Sequence, residues 1–122
     1  MEKEKFSIRK RVKSFYYAIA GIVDFFRKEH NAWIHLAATV TVTALAWWMK
    51  ISPQEAIALV IVVGLVWITE MLNTCIERMA DLITKEWHPG IKVVKDLAAG
   101  AVLVAAIVAV ITGLIIFIPK IL

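Results

Sequence analysis

The chain has 122 residues, of which 61% are hydrophobic and 20% charged, and a net formal charge of +4. Typical soluble domains are about 45–50% apolar, and a domain this small buries only about two-thirds of its unfolded surface. This composition argues against a soluble enzyme, a disordered tail and a two-domain protein, and points to a single membrane domain over residues 1–122. The only cysteine, Cys75, excludes an intramolecular disulfide and leaves too few thiols for a zinc cage.

In chain order, residues 1–28 come first. Ile8, Val12, Phe15, Ile19, Ile22 and Phe26 recur at spacings of three and four, while Arg9, Lys10, Lys13, Asp24 and Arg27 fill much of the remaining circumference. This pattern predicts an amphipathic helix with a basic polar side, suited to lying in a membrane interface. It has no short apolar core followed by a small-residue cleavage site, so it is not a signal peptide. Three apolar runs follow, at 32–49, 51–72 and 97–118, each near the length of about 20 residues that spans a bilayer core. Backbone groups in lipid must be satisfied internally, so each run is read as a helix. Lys50 to Pro53 is a tight turn, and Thr84 to Val94 a longer polar connection broken by His88-Pro89-Gly90. Trp33, Trp47, Trp48 and Trp87 lie near the ends of the runs, where they read as interface anchors.

Charge predicts the orientation. Eight of the 14 basic residues precede the first run: Lys3, Lys5, Arg9, Lys10, Arg11, Lys13, Arg27 and Lys28. Arg78, Lys85, Lys92 and Lys95 lie between the second and third runs, and only Lys50 and Lys120 fall on the other side. The positive-inside rule then places the N-terminus in the cytoplasm, and three spans put the C-terminus outside.

The polar residues within and beside the runs are the candidates for chemistry. Glu70, Asn73, Glu77 and Asp81 are spaced by three, four and four, so they share one side of a helix that leads from the second run toward the cytoplasmic boundary. Carboxylates within a membrane are costly and mark functional sites. Their bland reading is a solvated stripe, or one paired with Arg78 and Lys95 for structure alone. Lys95-Asp96 opens the third run, and Glu29-His30-Asn31 opens the first. Taken singly, each is an ordinary boundary feature. Together, these carboxylates, amide and lysine at one boundary suit the handling of phosphate through Mg²⁺, which binds one or two protein carboxylates plus substrate phosphates. A desolvated carboxylate such as Glu70 can serve as a general base. Neither GxGxxG nor GxxxxGK[ST] occurs, so a nucleotide site must be built from side chains and metal. The three histidines form no HExxH pattern, so zinc is not expected.

The run Glu70-Met71-Leu72-Asn73-Thr74-Cys75-Ile76-Glu77, followed by Asp81, resembles the E-x-x-N-[ST]-x-I-E-x-x-x-D signature of the bacterial integral-membrane diacylglycerol and undecaprenol kinases. Lys95-Asp96 with Ala98-Ala99 and Ala101-Val102 is similar to that family's K-D-x-x-A-x-A-V segment, and Tyr17, Gly21 and Glu29 match its N-terminal positions. The resemblance implies an all-α membrane protein, with three transmembrane helices and an N-terminal interfacial helix. The implied activity is an ATP-dependent lipid kinase of the bacterial cytoplasmic membrane that converts diacylglycerol to phosphatidate, with undecaprenol as the alternative acceptor. Position by position, it implies Glu70 as general base and Glu29 and Glu77 as Mg²⁺ ligands. Asn73, Lys95 and Asp96 would position phosphates and carboxylates, and Tyr17 and His88 would line the nucleotide site. Asp81 belongs to the motif with its role open. Lys10 stands where some members carry an arginine near the nucleotide. Asn31 to His35 looks more like the undecaprenol kinase branch than the enterobacterial diacylglycerol kinases. The family forms a homotrimer with sites shared between subunits. Alanines 98, 99, 101, 105, 106 and 109 would permit the close helix approach that self-association needs. From other classes, the competing readings are a small transporter built around a membrane glutamate and a non-catalytic membrane subunit. A transporter would hold its carboxylate deep in the membrane, whereas Glu70 lies toward one end of its run.

Overall fold

Four helices account for most of the chain in the computed structural model: α1 (Ile8–Lys28), α2 (His30–Trp48), α3 (Pro53–Ile83) and α4 (Pro89–Ile121). The structure describes residues 5–122, so Lys3 and the start of the expected N-terminal helix lie outside the described residues. The chain divides into two compact units, Met1–Ala37 and Ala38–Leu122.

In the first unit, α1 begins at Ile8, where the expectation was one helix from residue 1. The reason is a cap: the Ser7 hydroxyl accepts from the Lys10 backbone N–H at 3.4 Å, satisfying a donor that a helix start leaves free. Arg27 and Lys28 occupy the last turn, where positive charge opposes the negative end of the helix dipole. Lys28 also pairs with Asp24 one turn back at 2.9 Å. The apolar residues Ile8, Val12, Phe15, Ile19 and Ile22 are exposed, and Phe25 is buried.

In the second unit, α3 and α4 form the principal helix pair. The turn before α3 is compact. At the end of α2, the Ile51 N–H reaches back to the Ala46 carbonyl and the Lys50 N–H to the Trp47 carbonyl. This is the pairing of a Schellman turn, and it puts Lys50 at φ 53°. A capping box then starts α3: the Ser52 hydroxyl accepts from the Glu55 N–H at 3.1 Å, and the Glu55 carboxylate accepts from the Ser52 N–H at 2.9 Å. Glu55 also meets Lys120 at 3.0 Å, tying the first turn of α3 to the last turn of α4. The indole N–H of Trp67 donates to the Thr39 hydroxyl at 2.9 Å, joining α3 to α2.

Among the described residues, two helices, α3 and α4, are long and apolar enough to cross a membrane. α2 carries His35, Thr39, Thr41 and Thr43 among its apolar residues and falls outside that pair. The helices extend well past the expected runs: α3 continues to Ile83 and α4 starts at Pro89. The expected connection from Thr84 to Val94 therefore shortens to residues 84–88. Read as a turn signal, His88-Pro89-Gly90 instead opens a helix. Proline at the first helical position gives up only an N–H that had no partner, and its fixed φ already suits the helix.

Candidate active site

The stripe expected on the second run lies along the C-terminal half of α3 as a gradient of burial. Glu70 is only 5% exposed and Thr74, one turn on, only 6%. Asn73 is half-buried, and Glu77 and Asp81 are exposed. At 1.5 Å per residue the stripe rises about 16 Å from Glu70 to Asp81. The Asn73 Oδ1 atom is buried and has no hydrogen-bond partner. A buried carbonyl oxygen without a donor is costly, so this atom has acceptor capacity that no group of the described chain uses.

Lys95 and Asp96 sit two turns into α4. The Lys95 ammonium donates to Asp81 Oδ1 at 2.8 Å, so the end of the stripe and the Lys95-Asp96 pair meet across α3 and α4. Lys95 precedes the apolar run 97–118, and its hydrogen bond to Asp81 holds the ammonium above the usual lysine range, with the Asp81 and Glu77 charges acting in the same direction against partial desolvation. Asp96 turns instead to Lys92 on its own helix, where both side chains are exposed. The bland reading of the stripe pairs it with Arg78 and Lys95; the structure shows the Lys95 contact, at Asp81, whose formation depends on how α3 and α4 register.

The remaining expected residues have these places. His88 caps α4: its Nδ1 accepts from the Gly90 N–H at 3.0 Å. A Cβ at Gly90 would come within 3.1–3.2 Å of the His88 ring, so a larger residue there would press on the capping side chain. In the N-terminal unit, Lys10 and Tyr17 are exposed on α1. Tyr17 meets Tyr16 edge-to-face at 5.8 Å. Glu29 is the one residue between α1 and α2, half-buried and extended at φ −112°, ψ 116°.

Among the described residues, no group of three or more His, Cys, Asp and Glu stands close enough to hold a metal by itself. The donor chemistry nevertheless suits Mg²⁺, a hard cation that takes one or two carboxylates and completes its shell with substrate phosphates and water. On α3 the Glu77 carboxylate and the unpartnered carbonyl oxygen of Asn73 are hard oxygen donors, and the N-terminal unit carries another in Glu29.

The profile of prokaryotic diacylglycerol kinases matches residues 16–117. That span contains every candidate residue except Lys10. The undecaprenol kinase of Bacillus subtilis is 42% identical over 108 residues, 88% of this chain and 88% of that protein. The diacylglycerol kinase of Synechocystis is 39% identical over 110 residues, 89% of this chain but 63% of that longer protein. The diacylglycerol kinase of Escherichia coli K12 is 38% identical over 88 residues, 66% of this chain and 72% of that protein.

Proposed function

We propose, for a chain that belongs to the prokaryotic diacylglycerol kinase family and is therefore an ATP-dependent integral-membrane lipid kinase, that the stripe on α3 is the seat of phosphoryl transfer to diacylglycerol. The observation that carries this reading is the gradient from buried Glu70, past the unpartnered Asn73 oxygen, to exposed Glu77 and Asp81. A lipid hydroxyl at headgroup depth and a nucleotide in water need a site that crosses that boundary.

In this mechanism the Glu70 carboxylate takes the proton of the lipid hydroxyl. The freed oxygen attacks the γ-phosphorus of ATP, the bond to the β-phosphate oxygen breaks, and ADP leaves. Phosphoryl transfer depends mainly on positioning and charge neutralisation. Lys95, held by Asp81, supplies fixed positive charge toward the phosphates, and Asp96 and Asn73 orient the reacting groups. Glu29 and Glu77 supply carboxylates to Mg²⁺, which when bound with ATP neutralises phosphate charge. Tyr17, His88 and Lys10 serve the nucleotide side.

The proposed topology has three spans, with α2 as the shortest. Its 19 residues correspond to about 28 Å at 1.5 Å per residue, close to a hydrocarbon core of about 30 Å. α1 lies in the cytoplasmic interface, and the C-terminus is outside. Three copies assemble as a homotrimer.

A second reading keeps the same site but takes undecaprenol as acceptor. It is favoured by the B. subtilis relative, which this chain matches over 88% of both lengths. The test is Mg²⁺-dependent phosphorylation in mixed micelles with both lipids present. Preferential phosphatidate formation supports the first reading, and preferential undecaprenyl phosphate formation replaces it with the second. In the same assay Glu70→Gln should lose turnover by at least a hundredfold, the scale of general-base catalysis, while keeping nucleotide binding. Wild-type turnover in that variant would remove Glu70 from the mechanism.

A further inference from the structure

The break between α1 and α2 has no sequence breaker. Residues Arg27-Lys28-Glu29-His30-Asn31 contain neither proline nor glycine, and helix-forming sequence continues on both sides. The conformation that such a sequence would otherwise favour is a single uninterrupted helix through this region. In it, the Phe26 carbonyl would accept from the His30 N–H, the partner four residues on.

Another donor holds that carbonyl in the structure. The indole Nε1–H of Trp33 donates to the Phe26 carbonyl oxygen at 2.9 Å. The Trp33 ring also meets Phe26 edge-to-face at 5.5 Å, and Phe26 meets Phe25 the same way at 5.9 Å. Phe25 and Ala32, on either side of the break, are buried. The vertex itself is committed in both directions: the Glu29 N–H donates to the Phe25 carbonyl at 3.0 Å, and the Glu29 carbonyl accepts from the Ala32 N–H at 3.2 Å.

We infer that Trp33 is a positioning residue for the kinase reaction: its indole clasps the end of α1, keeps the α1–α2 break open at Glu29, and so sets the direction in which the Glu29 carboxylate leaves the backbone. The inference rests on the proposed role of Glu29 as a ligand of the metal that accompanies the nucleotide. A carboxylate that must meet a cation loses affinity when its backbone is free to revert to a helical conformation, because the productive direction is then only one of two populated states. Trp33 thus acts on metal–nucleotide affinity and leaves lipid recognition alone, although its sequence position suggests a membrane anchor.

Two substitutions separate the indole's parts. Trp33→Phe keeps an aromatic ring on Phe26 but has no N–H. Trp33→His keeps a ring N–H at the corresponding position and gives up the outer ring. The measurements use the full-length protein in mixed micelles. Mn²⁺, standing in for Mg²⁺, is titrated by electron paramagnetic resonance in the presence of a non-hydrolysable ATP analogue, alongside steady-state kinetics and thermal unfolding. Trp33→Phe should weaken Mn²⁺–nucleotide binding and raise KM for ATP by roughly fivefold, the scale of one net hydrogen bond. KM for the lipid and kcat should stay near wild type, and Trp33→His should recover most of the loss.

Unchanged Mn²⁺–nucleotide binding in Trp33→Phe, with or without a lower melting temperature, overturns the inference. Equal losses in the His and Phe variants overturn it as well, because they would assign the effect to ring bulk. Should Trp33→Phe fail to fold, wild-type affinity in a folded Trp33→His supports the clasp, and a fivefold loss there overturns it. Glu29→Ala measured in parallel keeps the two claims distinct. If Glu29→Ala loses affinity and Trp33→Phe does not, only the clasp fails. If Glu29→Ala binds Mn²⁺ and nucleotide normally, the ligand role of Glu29 fails and takes the clasp with it.

Discussion

Asp81 was the motif member without an evident task, and its contact with Lys95 at 2.8 Å supplies one. Both side chains are substantially exposed, so the pair adds little to stability; exposed ion pairs are worth about 0–1 kcal/mol. In the proposed mechanism its value lies in holding the ammonium charged and in place. The sign of the pH effect follows from the direction of the shift. A lysine raised in the folded state contributes an attraction that is complete below its unfolded pKa and is lost as pH rises through the folded one. Asp81→Asn should therefore leave the melting temperature almost unchanged but move the alkaline rise in KM for ATP to lower pH. An alkaline limb at the same pH in wild type and variant would show that Asp81 does not govern Lys95. Asn73 is the complementary case: its residue type and spacing were visible in sequence, but the isolation of its oxygen was not.

The helix starts show how local chemistry sets element boundaries. Ser7, Ser52 and His88 each place a side-chain acceptor over a first-turn N–H. Serine is a common cap. A histidine followed by Pro-Gly reads first as a turn, so the sequence alone puts the start of α4 several residues late. The cap also complicates any nucleotide role for His88, since replacing it disturbs the helix end. His88→Ala should cost about 1 kcal/mol of stability, and His88→Asn should restore most of it. If His88→Asn also restores KM for ATP to the wild-type value, the residue serves the nucleotide only by ending the helix correctly. A KM that stays raised in a variant of restored stability would assign the imidazole a direct contact. The α1–α2 break makes the same point, because a donor from Trp33, seven residues beyond Phe26, stands where a proline or glycine would usually serve.

At the scale of the whole molecule, large apolar side chains remain uncovered along both long helices, among them Val60, Ile61, Leu103, Val104 and Val110. Water-soluble monomers rarely expose apolar patches of such extent, and lipid or further copies of the chain are the covers that suit them. The proposed homotrimer, with its sites shared between subunits as the family resemblance implies, makes a prediction that a self-contained subunit does not. Glu70→Gln and Glu29→Ala subunits, each expected to be impaired alone, should regain a substantial fraction of wild-type turnover when refolded together in micelles, provided the two residues of one site come from different chains. Mixtures as impaired as the separate variants would mean that each subunit carries both residues of its own site.

The sequence by itself determined the membrane character, the helical class, the acidic stripe and the family. These depend on composition, on a period of 3.6 residues and on a long motif, all of which are written along one dimension. The tertiary structure decided that the Glu70 carboxylate is buried while Glu77 is exposed, that Lys95 belongs to Asp81, and that Glu55 and Lys120 tie α3 to α4. It also decided that Trp33 turns back onto the helix before Glu29. Burial, helix register and side-chain contacts between separate helix segments arise only when those segments meet in space, so no spacing within a single helix could have supplied them.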